Sequence, residues 1–548
     1  MWVALAIGAG VWLRLDQLAS QLLLEDEWHA VYRVVHETAA AVFLDFGHSD
    51  SSIPLTLLYL AESRAFGLSE LGMRAPLVAA GIATLVLFPW YVARRFGRGE
   101  TLVFTVLLAI SPLLYFFSRT ARPYALTLLL VWVAHVAFRR YVETPHASRP
   151  ELAVYAATSA LAAWLHPVVV PFVVAPFLPA AWAWLRNASG ATRKAALMRL
   201  VAAALAAGVP MTALLLPPLV AHPESLALKS GIDLPRADTL VGAWYAWFGS
   251  GSTAVVLLSG ALALLGAPVV RRGLPEAGSM LVGLALALAM IVVTRPAWIH
   301  NPLTFARYLL PIVPLLLLAV ACGALKLARA IATMLTARGA APLAAGIVGM
   351  AAAATPPVAL AATSPLWPVL AHPNGNSVHA LYQFDFRRDH NPVATVMDGI
   401  PLSPWWATLR QRPPESIGIA VAPLPTESVG WDAPRWQRLG RQRVLSGFLT
   451  PLCASPRVNE VPDDARFRFR NAVHLSDDAA LAARGVDFIV WQKPYRYAAH
   501  GLEAQVGADV APCASALAAR FGTPVYEDEW LTVYFYSRAS AGGRDAAR

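Results

Sequence analysis

The residues of this chain best suited to chemistry are the Asp26-Glu27 pair, Arg122 with Tyr124, and Arg307 with Tyr308. A carboxylate at the edge of an apolar segment can take the proton from an attacking hydroxyl or amine. Arginine suits an anionic leaving group, because its planar fork makes bidentate, charge-assisted hydrogen bonds. Asp26 is read as the general base. The side chain of Glu27 points another way from its neighbour's, so Glu27 is read as orienting the surroundings of Asp26, pairing with a basic group or ligating a metal. Arg122 and Arg307 are the candidates for holding a phosphate. Tyr124 and Tyr308 are weaker candidates, and Lys229 weaker again.

Composition says what must position these groups. The chain has 548 residues, 57% hydrophobic and only 14% charged, where soluble domains carry about 25% charged residues. Much of it must therefore have lipid as its solvent. The formal net charge of +10 would suit a nucleic-acid partner, but the basic residues fall in short clusters between apolar runs and form no basic domain. A spanning helix needs about twenty mostly apolar residues. Eleven runs fit, near 1–18, 76–93, 101–117, 123–138, 151–166, 167–185, 200–220, 253–270, 277–294, 308–325 and 341–363. Alternate loops carry the basic clusters, at Arg94 to Arg98, Arg139 to Arg149, Arg186 to Arg199, Arg271-Arg272 and Lys326 to Arg338. Since Lys and Arg are retained in the cytoplasm, the N-terminus is inside, and an odd number of spans leaves the C-terminus outside.

Residues 1–363 thus read as a membrane domain with a long first outer loop at 19–75, in which Ile53 to Gly67 suits a helix lying on the membrane surface. Residues 364–548 regain charge and read as a separate extracytoplasmic α/β domain, with apolar strands at Ile417 to Val421 and Val486 to Trp491, a helix at Ser515 to Phe521, alternation over Val525 to Tyr536 and a loose tail from Ala539. Cys453 and Cys513 can pair there only if the compartment is oxidising, whereas Cys322 lies in an apolar run.

Almost no ionisable group lies mid-span. His135 is the main exception, read as a helix-interior histidine bonded to a neighbouring helix. Polar residues instead gather at the outer rim: the first outer loop, Arg119 and Arg122, His166, His222 and Lys229, and His300 with Arg307. That favours a reaction centre at the outer surface over a path through the bilayer. Each candidate also has a plainer reading: a solvated acid at the membrane edge, guanidinium groups anchoring helix ends at the headgroups, tyrosines of the aromatic belt. The outer histidines could gather a divalent cation, but Glu27 and His29 two apart, with His36 seven further, match no recognised ligand motif.

Four segments carry a resemblance. Leu24 with Asp26-Glu27, Ser69 to Pro76, Ser111 to Leu126 and Arg307-Tyr308-Leu309-Leu310-Pro311 are similar, in order and on the same side, to motifs of the GT-C superfamily of polyprenyl-phosphate-dependent glycosyltransferases. The likeness is to its protein-mannosyltransferase and aminoarabinose-transferase group and covers about residues 1–330. Thr120 stands where members often place a glutamate, and 48–55 is a looser version of a His-Pro-Pro-Leu-Tyr stretch. The resemblance implies a GT-C-like fold and transfer of a sugar from a polyprenyl-phosphate donor to a lipid, glycan or protein acceptor in the cell envelope. Chemistry agrees, because no nucleotide sugars are supplied outside the cytoplasm and a donor there must already be activated on a lipid phosphate. A flippase or transporter is the runner-up, expected to show repeats, broken helices and midplane charges. An envelope polysaccharide ligase and a structural envelope protein are the further alternatives.

Overall fold

The computed structural model describes residues 1–23, 25–47, 52–143, 149–187, 190–364, 402–423, 436, 439–453, 460–493 and 512–536, with the backbone alone at 25, 26, 187 and 190–192. Leu24, the stretch 48–51 and the tail from Ala539 lie outside the described residues. The membrane domain opens with α1 (Trp2–Leu15). The stretch expected as the first outer loop then folds as α2 (Glu25–His36), α3 (Ala39–Leu44) and α4 (Ile53–Ala65). Thr38 caps α3 by accepting from the Ala41 N–H at 3.2 Å, and Pro54 begins α4, where its missing N–H costs nothing. The expected surface helix at 53–67 corresponds to α4, which buries Ile53, Leu55, Tyr59 and Leu60 and leaves Leu58 exposed.

Helix α5 (Glu70–Ala93) begins at Glu70 rather than at 76, because the Ser69 hydroxyl accepts from the Gly72 N–H and caps it earlier. Next come α6 (Arg98–Ile110) and α7 (Pro112–Arg119), bent by 53° at their junction. Pro112 has no N–H to give and pushes Ser111 into extended backbone, ψ 115°. The run expected as one helix near 101–117 is therefore two helices. The chain continues through α8 (Tyr124–Glu143), α9 (Arg149–Leu165), α10 (Val170–Val174), α11 (Phe177–Asn187), α12 (Gly190–Ala221) and α13 (Glu224–Leu228). It ends the membrane domain with α14 (Ala237–Phe248), α15 (Thr253–Gly273), α16 (Glu276–Thr294), α17 (Pro302–Tyr308), α18 (Val313–Ala337) and α19 (Pro342–Thr363).

All eleven apolar runs are helical. Among the described residues eight segments are long and apolar enough to cross a bilayer, or nine if α6 and α7 form one bent crossing. A count of eleven depends on α1, with 14 residues, and α9, with 17, both short of a straight span. Helix α18 is the buried centre of the bundle. It meets α15 where Gly266 lies against the Ala319 carbonyl and Gly323 against the Leu262 carbonyl, an approach that any Cβ would prevent. His135 bonds Ser279 Oγ at 2.9 Å and the Phe172 carbonyl at 2.8 Å, so it ties α8 to its neighbours.

The C-terminal part is a six-stranded sheet in the order β3-β2-β1-β4-β6-β5. Strands β1 (Gly418–Ala422), β2 (Arg443–Phe448), β3 (Ala472–His474) and β4 (Val486–Gln492) are mutually parallel, and β5 (Tyr526–Glu527) and β6 (Leu531–Phe535) add an antiparallel edge. Strand β1 is buried throughout, as a parallel central strand requires. Three short helices, α20 (Trp405–Thr408), α21 (Asp478–Ala483) and α22 (Cys513–Phe521), flank it. Cys513, at the start of α22, is disulfide-bonded to Cys453, closing a loop of 60 residues. Cys513→Ser in the full chain is expected to weaken the sheet by about 2–4 kcal/mol, measured as faster hydrogen exchange in β1, β2 and β4 with the membrane helices unchanged.

This unit docks on the first outer loop. Leu68 exchanges two backbone hydrogen bonds with Arg466 and Arg468, each 2.7 Å, and the Glu70 carboxylate accepts the N–H groups of Arg470 and Asn471 at 2.9 and 2.8 Å. Trp28 of α2 packs edge-on against Phe448 and Phe469, at 5.9 and 5.6 Å between ring centres. One apolar core therefore runs from α2 and α4 into the sheet.

Candidate functional site

The end of α7 is fixed first. Arg119, almost fully buried, donates to the carbonyls of Leu13 at 2.9 Å and Asp16 at 2.5 Å and to Gln21 Oε1 at 3.3 Å. It thereby clamps the exit of α1. The bend at Ser111-Pro112 aims α7 so that Thr120, Ala121 and Arg122 lie beneath α2. Thr120, where a second carboxylate would have stood, is buried and spends its hydroxyl on the Phe116 carbonyl at 3.0 Å.

Glu27 is fully buried and ion-paired with Arg74 of α5, Nη2 to Oε2 at 2.8 Å and Nε to Oε1 at 2.9 Å. Arg74 also donates to the carbonyls of Gln21 at 2.8 Å and Leu22 at 2.7 Å. A buried charge pair is tolerated only with such full hydrogen bonding. Glu27 Oε1 further accepts the Ala121 N–H at 2.7 Å. The residue after Asp26 is thus locked to the residue before Arg122. Asp26 stands in the first turn of α2, and its side chain lies outside the described residues. Tyr59 of α4 completes this wall: its hydroxyl donates to the Met73 carbonyl at 3.0 Å, and burial pushes its pKa up, with Glu27 and Glu62 adding and Arg122 and Arg74 opposing.

Arg122, 2% exposed, stands 5.9 Å from the Tyr124 ring centre. Arg307 reaches the same ring at 5.4 Å and that of Tyr308 at 5.6 Å. The His166 ring lies between the two tyrosines, 5.3 Å from Tyr124 and 5.4 Å from Tyr308. Two guanidinium groups 185 positions apart in the chain therefore lie beside one aromatic ring, in the range where cation–π attraction is felt. Arg307 is held there because Asn301 caps α17 through the N–H groups of Leu303 and Thr304. Helix α14, which the apolar pattern did not separate from its loop, supports α17: Trp247 Nε1 donates to the Ala306 carbonyl at 3.2 Å, and Thr239 Oγ1 to that of His300 at 2.6 Å.

The other rim residues go elsewhere. Lys229 donates to the Phe46 carbonyl at 2.8 Å. His222 pairs with Glu224 on an exposed turn, His300 with Asp233 at 3.1 Å, and His36 lies against Tyr32. Among the described residues no group of three or more His, Cys, Asp or Glu is arranged to hold a metal ion. Sequence reasoning did not single out Arg74, although it lies within a quoted motif, nor give His166 its place between tyrosines. Its only signal for Arg74 was an arginine at the buried start of a long apolar helix.

No protein-family model matches the chain, and no curated protein does. Among solved structures it is similar to ArnT from Cupriavidus metallidurans in the apo state, with 13% identity over 98% of each chain and a TM-score of 0.43. It is also similar to the same protein bound to undecaprenyl phosphate, at 14% identity and 0.45 over 97% of this chain and 98% of the other. A third is the archaeal oligosaccharyltransferase AglB from Archaeoglobus fulgidus in complex with an inhibitory peptide and a dolichol-phosphate, at 14% and 0.40 over 92% of this chain and 71% of the other. At TM-scores below 0.5 these are likenesses only, and no residue role is taken from them.

Proposed function

We propose that this is a membrane glycosyltransferase that moves a sugar, with inversion, from a polyprenyl-phosphate donor to a cell-envelope acceptor at the outer face of the cytoplasmic membrane. The observation that carries the reading is the convergence of the buried guanidinium groups of Arg122 and Arg307 on the Tyr124 ring, tied through Ala121 to Glu27. Two guanidinium groups beside one ring raise the local positive potential, which suits a phosphate that is a singly charged diester in the donor and gains a second charge as the sugar leaves. Asp26 is the general base in this reading. It takes the proton of the acceptor hydroxyl or amine as the nucleophile attacks the anomeric carbon from the side opposite the phosphate. The bond from the anomeric carbon to the phosphate oxygen breaks, and Arg122 and Arg307 hold the released polyprenyl phosphate. Tyr124 and Tyr308 shape the aromatic wall.

Orientation follows the same reading. The basic clusters face the cytoplasm, and the sheet domain lies outside, where a bond such as Cys453–Cys513 survives. Arg122→Ala and Arg307→Ala are each expected to raise the Kd for polyprenyl phosphate about 10–100-fold, the loss of a charged hydrogen bond of about 1.5–3 kcal/mol. Titration of the purified chain with a polyprenyl phosphate measures this. Unchanged affinity in both variants would leave the arginines as helix anchors and remove the reading.

A further inference from the structure

We propose that the opposite, arginine-rich end of the bundle holds a phospholipid with a primary ammonium headgroup, in a cavity of about 460 Å³ between α8, α11, α12 and α16. The cavity is far from the Tyr124 cluster: Arg139, on its wall, lies 15 residues along α8 from Tyr124, about 22 Å at 1.5 Å per residue. Its apolar lining, including Phe138, Trp184 and Leu200, suits an acyl chain, and Ala183 and Glu143 on its wall are exposed, so it is open to the outside of the bundle.

Glu276, at the start of α16, decides the headgroup. Its side chain is 1% exposed, and its Oε1 accepts from Tyr91 at 2.5 Å and Arg139 at 3.0 Å. Its Oε2 is buried with no hydrogen-bond partner among the described residues. A buried carboxylate oxygen without a donor is unfavourable, and more so in a bilayer than in water. The protein has little to offer it, since both nitrogens of His135 are already engaged and Arg139 Nε is paired with Glu143 at 2.7 Å. The charged groups of the lining are two carboxylates, Glu143 and Glu276, against one guanidinium, Arg139. What is missing is a cation that donates N–H. At the rim, Arg193 stacks on the Trp184 ring at 4.8 Å, while Trp184 Nε1 donates to the Arg193 carbonyl at 2.9 Å. Arg193 does not itself line the cavity, but its guanidinium is held beside Trp184, which does, and in this proposal it meets the lipid phosphate. An ammonium on Glu276, a phosphate at Arg193 and a chain against Phe138 and Leu200 describe a zwitterionic phosphatidylethanolamine.

Native mass spectrometry of the delipidated full-length protein, titrated with phosphatidylethanolamine, phosphatidylcholine or phosphatidylglycerol of matched chains, tests this. One phosphatidylethanolamine should be retained at least ten-fold more tightly than either other lipid, because trimethylammonium offers no N–H and glycerol no charge. Glu276→Gln should reduce that preference to less than three-fold. If that variant fails to fold, Gly278→Leu serves, since Gly278 is an exposed residue of the lining where a Cβ meets no neighbour within 4 Å, and a leucine there is expected to narrow the opening. It should weaken phosphatidylethanolamine ten-fold. Equal retention of the three lipids by the wild type, or unchanged retention by Gly278→Leu, overturns the proposal.

Discussion

Asp26→Asn is expected to lower turnover of a lipid-linked sugar by about 10²–10⁴-fold while leaving the affinity for polyprenyl phosphate unchanged. The amide keeps the size and shape of the side chain but cannot accept the acceptor's proton. Donor affinity should survive, because in the proposed mechanism the phosphate is bound by Arg122 and Arg307. Glu27 cannot take over: its carboxylate already accepts from Arg74 and from the Ala121 N–H. Single-turnover transfer by the purified protein, alongside donor titration, separates the two effects. Turnover within three-fold of wild type would remove the base assignment.

Arg74→Ala should produce the largest loss of stability, about 3–5 kcal/mol, because it leaves the carboxylate of Glu27 buried without its charge partner. It also releases the carbonyls of Gln21 and Leu22, which Arg74 holds. Arg74→Lys should recover only part of the loss, since an ammonium cannot bond both carboxylate oxygens and the carbonyls in one plane. Denaturant titration in mild detergent, followed by hydrogen exchange in α2 and α5, measures both. If Arg74→Ala and Arg74→Lys are equally mild, the first outer loop is held by its apolar contacts with the sheet and not by this pair.

The bundle was legible in the sequence because lipid imposes a simple rule: every long apolar run had to satisfy its own backbone, and each became a helix. The sheet domain was legible for a similar reason, since its buried strands read as short apolar runs at Ile417 and Val486. Boundaries and bends were not. The early start of α5 depends on the Ser69 cap, and the bend between α6 and α7 on one proline, features that hydropathy averages away. Helix α14 has 12 residues, too few to read as a span, so hydropathy alone did not mark it as the support of α17.

For the site, residue types and outer-rim placement were enough to pick out Arg122, Arg307, Tyr124 and Tyr308. Tertiary contacts alone reveal that Arg122 and Arg307 meet at the Tyr124 ring and that His166 links it to Tyr308. The pairing of Glu27 with Arg74 was also out of reach, because their 47-residue separation holds two intervening helices, α3 and α4, and the segments that connect them.

The most direct measurement is an experimental structure of the full-length protein with a polyprenyl phosphate bound. The phosphate should lie within hydrogen-bond distance of both Arg122 and Arg307, with the prenyl chain leaving toward the bilayer and the Asp26 carboxylate facing the same cavity. A phosphate bound at the arginine-rich end instead, or an Asp26 side chain turned away from the Tyr124 cluster, would contradict the proposed site.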